Sequence, residues 1–311
     1  MTTFPNEEFR RMVPLLREKG FYESVKPRSI SWPHYSSSLI EEAIETLDFI
    51  REAVDSVKTM PPSSKVGRPL TNPKDLAKAV LISEAFGYTE RGAQGWATLL
   101  GPYVGVTSRL DDRTIGDAYE RAEVLCILKE VFESTKESDG ALCGDGTGLE
   151  TSRKQNYEST KKAGEYMTSI VDSREIVQAF DVSGEKECRA MHQLLEEVYG
   201  DSLRLDAGFN DRELVRKIAE KGMVPFVFPR KNNKLNGSVA WHSMYLSLFM
   251  DVMQWLTKYH QRSHCESFHS SFKSKYGIIT KRRNTSRLSQ VTARILLHNR
   301  RRLSYFKRLS G

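Results

Sequence analysis

The chain has 311 residues, 39% of them hydrophobic and 28% charged, with a formal net charge of +7, which describes a soluble globular protein with room for two domains. The apolar runs AVLISEAF and MYLSLFMDVMQWL are too short to span a bilayer, and MTTFPNEEFRRM lacks the basic-then-apolar order of a secretory signal. Cys126, Cys143, Cys188 and Cys265 form no CxxC pair, so zinc ribbons and disulfide frameworks are set aside and a cytoplasmic, reducing location is expected.

The first 135 residues read as helical. Ser38 and Glu41 have capping-box spacing ahead of LIEEAIETLDFIREAVDSV, where Leu39, Ala43, Leu47, Ile50, Val54 and Val57 keep helical period. TMPPSSKVGRPLTNP then reads as a loop or hinge. Within it, Gly67-Arg68-Pro69 is similar to the arms that put Arg into the minor groove of AT-rich DNA, although a plain loop is the commoner reading. Pro73 starts the helix PKDLAKAVLISEAF, Thr89 can cap RGAQGWATLL, and Asp111 or Asp112 can cap one long helix over RTIGDAYERAEVLCILKEVF. Two helices and a longer third resemble a helix-turn-helix with a long connection. The expected division is a helical region over 1–60 and a helix-turn-helix-like DNA-binding domain over 61–137.

From residue 138 the pattern changes. ALCGDGTGL, YMTSIVDS, EIVQAFDVS, SLRLDAG and MVPFVFPR are short β-branched or apolar segments bounded by turn residues, which reads as strands. KECRAMHQLLEEVYG and NDRELVRKIAEKG have helical period and end on Gly. Three strands, then helix, strand, helix, strand, helix is the order of a ribonuclease-H-like α/β fold, a mixed sheet flanked by helices, here expected over 138–280 behind an all-α N-terminal DNA-binding region. Asp145 falls mid-strand and Asp206 at a strand end, each beside small residues: Gly144, Gly146 and Gly148 for the first, Ala207 and Gly208 for the second. Those small neighbours would let a substrate approach closely. Asp172 and Asp181 compete with them but sit in turn-like settings. A lone aspartate at a strand end is more often a turn or cap residue.

Tyr259, Arg262, Glu266 and Lys273 are spaced 3, 4 and 7 apart in TKYHQRSHCESFHSSFKSKYG. On one continuous helix they share an arc of about 60°. A carboxylate among two cations and a phenol is neither a core face nor a random solvated one. Two divalent ions held by three carboxylates are the usual means of cutting and joining phosphodiesters. Residues 281–311 hold ten Lys or Arg, among them Lys281, Arg282 and Arg283, and no Asp or Glu. Positive charge gathered at one end is the footprint of a polyanion partner, and a solvated tail is the plainer alternative. Val291, Ile295, Leu296, Leu303 and Phe306 give this basic C-terminal helix one apolar face, expected to pack on the catalytic domain while the arginines face DNA or solvent.

Asp145-Gly146-Thr147, Leu205-Asp206-Ala207-Gly208-Phe209 and the Tyr-x2-Arg-x3-Glu-x6-Lys pattern at Tyr259, Arg262, Glu266 and Lys273 make the chain resemble the DDE-type transposases of bacterial and archaeal insertion sequences, over roughly residues 65–300. The resemblance implies Asp145, Asp206 and Glu266 as catalytic ligands of two Mg²⁺ or Mn²⁺ ions. It implies Arg262 and Lys273 on phosphates of the transposon end and Tyr259 on the DNA backbone near the cut. It also implies double-stranded DNA with terminal inverted repeats as partner, target DNA as acceptor and a nucleoid-associated prokaryotic setting; joining two ends in concert makes a homodimer on DNA the expected assembly, and the short apolar runs make no membrane partner expected. The 59 residues between Asp206 and Glu266 leave little room for the β-rich insertion that some members carry.

Two other functions stand beside this one: a transposase-derived DNA-binding protein without catalysis, and a structure-selective nuclease on the same fold. His260 and His264 have the i, i+4 spacing of a helical metal pair, but histidines facing substrate or solvent are commoner. His269 could touch DNA or a metal-bound water. Trp96, Trp241 and Trp255 read as core anchors.

Overall fold

The structure, a computed structural model, describes residues 6–16, 30–58, 71–87, 90–151 and 164–310. It divides into two compact units. The first comprises Met1–Ile30, Ser138–Thr147 and Tyr166–His269, and the second Ser31–Glu137, Gly148–Glu165 and Ser270–Gly311.

The first unit is built on a five-stranded sheet. Its strands are β1 (Ala141–Glu150), β2 (Gly164–Val171), β3 (Val177–Asp181), β4 (Ser202–Leu205) and β5 (Val224–Val227), in spatial order β3-β2-β1-β4-β5. β2 and β3 pair antiparallel, while β1, β4 and β5 run parallel with Cys143 opposite Arg204 and Arg204 opposite Phe226. Parallel neighbours need crossovers, and helices α7 (Glu187–Leu194) and α8 (Arg212–Glu220) supply them. After β5 come α9 (Val239–Met250), α10 (Val252–His260) and α11 (Ser263–Tyr276), the last of which runs on into the second unit. The stretch between Asp206 and Glu266 is therefore filled by helices, with β5 its one strand. The sheet's central residues Leu142, Leu203, Leu205 and Val227 are fully buried among Met191, Phe209, Ile218, Trp241, Tyr245 and Trp255. Helix α1 (Asn6–Leu15) belongs to this unit, with the Phe9 ring edge-on to Tyr245 at 5.1 Å. Strand order and crossovers are those of a ribonuclease-H-like mixed α/β sheet.

The second unit is helical: α2 (Trp32–Ser56), α3 (Pro73–Phe86), α4 (Glu90–Leu100), α5 (Asp112–Ala118), α6 (Ala122–Ser134) and α12 (Asn284–Ser310). Two boundaries differ from the sequence reading. Helix α2 starts at Trp32, after Ser31 and with Pro33 in the first turn, so Ser38 lies inside the helix and its hydroxyl donates to the Tyr35 carbonyl at 2.8 Å. The long helix expected over 113–132 is two. Asp111 caps α5 by accepting from the Thr114 N–H at 2.6 Å, and the chain turns at Tyr119–Arg121 before α6 begins. Thr89 and the Gly67-Arg68-Pro69 arm lie outside the described residues.

Helix α12 packs on α2, α3 and α6 within the helical unit, with Val291, Ile295 and Leu296 buried. Several of its arginines meet acids of the same unit. Arg294 Nε bonds Glu84 at 2.6 Å, Arg287 bonds Glu165 at 2.6 Å, and Arg300 and Arg308 both bond Glu45. Much of the positive tail is thus matched internally.

Candidate active site

Asp145 lies mid-strand on β1 and Asp206 directly follows β4. Asp206 Oδ1 accepts the Gly208 N–H at 2.6 Å and caps a single 3-10 turn, Ala207–Phe209. Arg230 holds that turn from outside, donating to the Ala207 and Gly208 carbonyls at 2.5 and 2.8 Å. Glu266 sits in the first turn of α11.

Tyr259 and Arg262 do not share one continuous helix with Glu266 and Lys273, because α10 ends at His260. The junction is stitched by i→i+3 bonds: Arg262 N–H to Tyr259 O (2.9 Å), His264 N–H to Gln261 O (3.1 Å) and Cys265 N–H to Arg262 O (3.0 Å). Such bonds wind the chain more tightly than the α-helix does, so the expected 60° arc is not preserved along its length. Arg262 and Glu266 still meet across one turn. The Arg262 guanidinium spans two carboxylates, donating through Nη1 to Asp145 Oδ2 at 3.2 Å and through Nη2 to Glu266 Oε1. Lys273 is exposed farther along α11, in the second unit.

Electrostatics tie these residues together. Burial raises the Asp145 carboxyl above the usual range; Arg262 and the Gly146 N–H oppose this, and the negative charges of Asp206 and Glu266 add to it. Burial works against charge on Arg262, but Tyr259, Glu266 and Asp145 outweigh it and keep the guanidinium protonated. A cleft of about 450 Å³ opens here, lined by Ala207, Phe228, Tyr259, His260, Arg262, Ser263 and Glu266. The Tyr259 ring forms part of its wall, stacked on Trp255 with centroids 5.2 Å apart and planes at 13°.

Beneath Glu266, helix α11 is anchored to β2: His269 Nε2 and Ser169 Oγ are 2.9 Å apart, and both residues are buried. His269 therefore faces the protein interior and not DNA. Buried Arg204 holds α10 to the sheet, donating to Lys258 O at 2.6 Å and Leu142 O at 3.1 Å.

Gly144 and Gly146 beside Asp145 make room for neighbouring side chains, whereas Gly148 has open space beside it. A methyl on Gly144 would strike Met191 of α7 at 2.7 Å and Leu205 at 2.8 Å, and one on Gly146 would strike Tyr166 and the Glu187 carboxylate. These two glycines admit side chains of α7, β2 and β4 against the strand. The sequence reading missed Glu187, at the start of α7. Its carboxyl is raised by burial and by the charges of Asp206 and Asp145, so a fourth acid faces the group. Asp172 opens a turn, accepting from the Arg174 and Ile176 N–H groups at 2.9 Å, and Asp181 is the last residue of β3, accepting from Ser183. His260 and His264 straddle the end of α10, and neither belongs to a group of three or more candidate metal ligands among the described residues. Near the tail, Lys281 lies over the Tyr119 ring at 3.9 Å, Arg283 pairs with Glu120, and Arg282 is exposed.

Hard carboxylate oxygens converging from separate elements, with a guanidinium balancing two of them, suit divalent cations of the Mg²⁺ class. The acids do not close to within a single ion's shell: among the described residues the one set with ligand atoms within 4.8 Å of one another is Cys188, His192 and Asp211.

The family profile described as transposase DDE domain matches residues 136–300, more than half of the chain. The chain belongs to that family. No curated protein and no solved structure matches it. The family makes this protein a transposase whose substrate is DNA and whose chemistry generally uses divalent metal. No helix among the described residues is long and apolar enough to cross a membrane.

Proposed function

We propose that this transposase binds the terminal inverted repeats of an insertion sequence, hydrolyses the element's 3′ ends and transfers them to target DNA. The observation that carries this reading is the single guanidinium shared by Asp145 and Glu266, with the charge of Asp206 acting on Asp145. Asp145, Asp206 and Glu266 would hold the metal, two Mg²⁺ or Mn²⁺ ions, which when bound supply an activated oxygen nucleophile and relieve charge on the leaving oxygen.

The chain's own residues orient the DNA. Arg262, whose planar fork suits phosphate as well as carboxylate, exchanges its carboxylate partners for a phosphate of the transposon end. Tyr259 and the aromatic wall behind it position the backbone beside the cut, and Lys273 takes a neighbouring phosphate. The region over 61–137, Arg68 included, reads the repeat, and Lys281, Arg282 and Arg283 add phosphate contacts. Joining two ends in concert calls for a homodimer on the DNA, in the nucleoid of a prokaryotic cytoplasm. The catalytic domain in this scheme is 138–280, between an N-terminal region over 1–60 and the basic helix 281–311.

The test is cleavage of DNA bearing the element's ends by purified protein with Mg²⁺ or Mn²⁺. Asp145→Asn, Asp206→Asn and Glu266→Gln are each expected to abolish cutting while DNA binding stays within a few-fold. Cleavage retained by any one of them removes that residue from the set.

A further inference from the structure

We propose that Cys188, His192 and Asp211 form a zinc site, separate from the catalytic acids, that staples the start of α7 to the start of α8. Helix α7 places Cys188 and His192 four residues apart, on one face one turn from each other. Asp211 is the N-cap of α8. Cys188 Sγ lies 3.5 Å and His192 Nε2 3.3 Å from the same oxygen, Asp211 Oδ2.

Those separations match the edges of a metal tetrahedron. Zinc bonds of roughly 2.3 Å to sulfur and 2.0–2.2 Å to nitrogen and oxygen, at tetrahedral angles, give edges of about 3.6 Å for S···O and about 3.4 Å for N···O. The donor types argue for the same ion: a thiolate and an imidazole select zinc over Mg²⁺ or Ca²⁺, whereas the all-oxygen set at Asp145, Asp206 and Glu266 selects the reverse.

The carboxylate is already oriented for this. Its Oδ1 accepts the Glu213 N–H at 2.7 Å and the Leu214 N–H at 3.4 Å, which fixes Oδ2 toward the sulfur and the imidazole. Outer restraints of this kind are usual on ligating carboxylates. Binding releases the Cys188 thiol proton to solvent, and the thiolate and carboxylate together balance the 2+ charge. Cys188, His192 and Asp211 are all half-buried, and water is the ordinary fourth ligand where a protein supplies three.

The staple has a structural consequence. The chain between β4 and Asp211 is the turn that carries Asp206, and α7 begins with Glu187, the fourth acid facing the group. A metal joining α7 to the end of that turn fixes Asp206 from one side, as Arg230 does from the other.

The test uses the full-length wild-type protein in reducing buffer, loaded with equimolar Zn²⁺ or Co²⁺ and freed of excess ion by gel filtration. One zinc per chain is expected. The cobalt form is expected to show a thiolate-to-cobalt charge-transfer band with the intense visible absorption of a tetrahedral ion, and Cys188→Ser and His192→Ala to lose it. On the wild-type chain, mass mapping after alkylation is expected to show Cys188 shielded by zinc while Cys126, which is exposed, reacts equally with and without it. Absence of the band in the wild-type protein, its persistence in Cys188→Ser, or alkylation of Cys188 unaffected by zinc each overturns the proposal. The cobalt and alkylation readouts on wild-type protein decide the matter even where a variant fails to fold.

Discussion

Replacing Arg294 by Met tests whether the positive tail is part of the protein's interior. Arg294 and Glu84 are each only 7% exposed, and the guanidinium Nε lies 2.6 Å from Glu84 Oε2. The other carboxylate oxygen accepts from Tyr119 Oη at 2.7 Å and Gln290 Nε2 at 3.0 Å, while Arg294 Nη1 also donates to the Ile278 carbonyl at 3.1 Å. Met fills a similar volume but leaves a buried carboxylate with two neutral donors and no cation. Breaking a buried pair from one side costs about 3–5 kcal/mol. With both groups this deeply buried, solvent screening gives no reason to reduce that figure. At roughly 2–4 °C per kcal/mol for a chain of this size class, the melting temperature is expected to fall by about 6–20 °C. Adding Glu84→Gln, whose amide oxygen keeps the Tyr119 and Gln290 bonds, removes the orphaned charge, and the double variant is expected to recover more than half of the loss. Urea unfolding followed by circular dichroism measures all three proteins. A loss below about 1 kcal/mol for the single variant would refute the reasoning, since that is the value of an exposed pair.

Ser169→Ala removes a hydrogen-bond partner of buried His269 and is expected to cost about 1–3 kcal/mol of stability. It should lower cleavage more than DNA binding, because α11 carries Glu266; an unchanged unfolding midpoint would count against the anchor. Glu45 gives a pH signature. Burial raises its pKa, but Ser304, Arg300 and Arg308 together hold it below the ordinary value of 4.5, so its contribution to stability is complete above that value and drains away as pH falls through the folded-state pKa. The wild type is therefore expected to lose stability faster than Glu45→Gln in the window below pH 4.5, with parallel curves above it; parallel curves throughout would remove Glu45 as a contributor. Exposed Arg282 and internally paired Arg300 should separate in salt titrations of DNA binding. Arg282→Ala is expected to reduce the slope of log K against log salt by about 1 and Arg300→Ala to leave it unchanged. Equal slopes for both variants and the wild type would take Arg282 off the DNA.

The strands and crossover helices of the sheet domain were legible because alternation of β-branched segments with Gly- and Asp-bounded turns is a local signal, and each strand lies where it was expected. The placement of Asp145 and Asp206 followed from the same signal. What failed were inferences that extended one pattern through a break. Helical period continues across Gln261 and Arg262, and across Tyr119–Arg121, yet the chain turns at both places. Ser38 and Glu41 satisfy the capping-box spacing, but Ser31 followed by Trp32-Pro33 opens the helix earlier. Glu187 and the Cys188, His192, Asp211 set were missed because their partners come from other elements. Only the Cys-x3-His spacing on α7 was present as a signal, and it has the same i, i+4 form that drew notice to His260 and His264.

The basic tail shows why a charge count along the chain is weak evidence for a surface. Residues 281–311 contain no acid, so the segment looks like an uncompensated polycation. Its partners lie far back in the chain: Glu45 is 255 residues before Arg300, and Glu84 is 210 before Arg294. Folding pairs them because α12 packs along α2 and α3, and the apolar face of Val291, Ile295 and Leu296 sets that packing whatever the charges do. Arginines near that face must then find acids or remain desolvated without a counter-ion, which is costly. The cations left for DNA are the ones beyond reach of α2 and α3. Arg282, at the mouth of the tail, and Lys307, near its end, are exposed examples, and such positions, more than the total of ten basic residues, are what a phosphate backbone would meet.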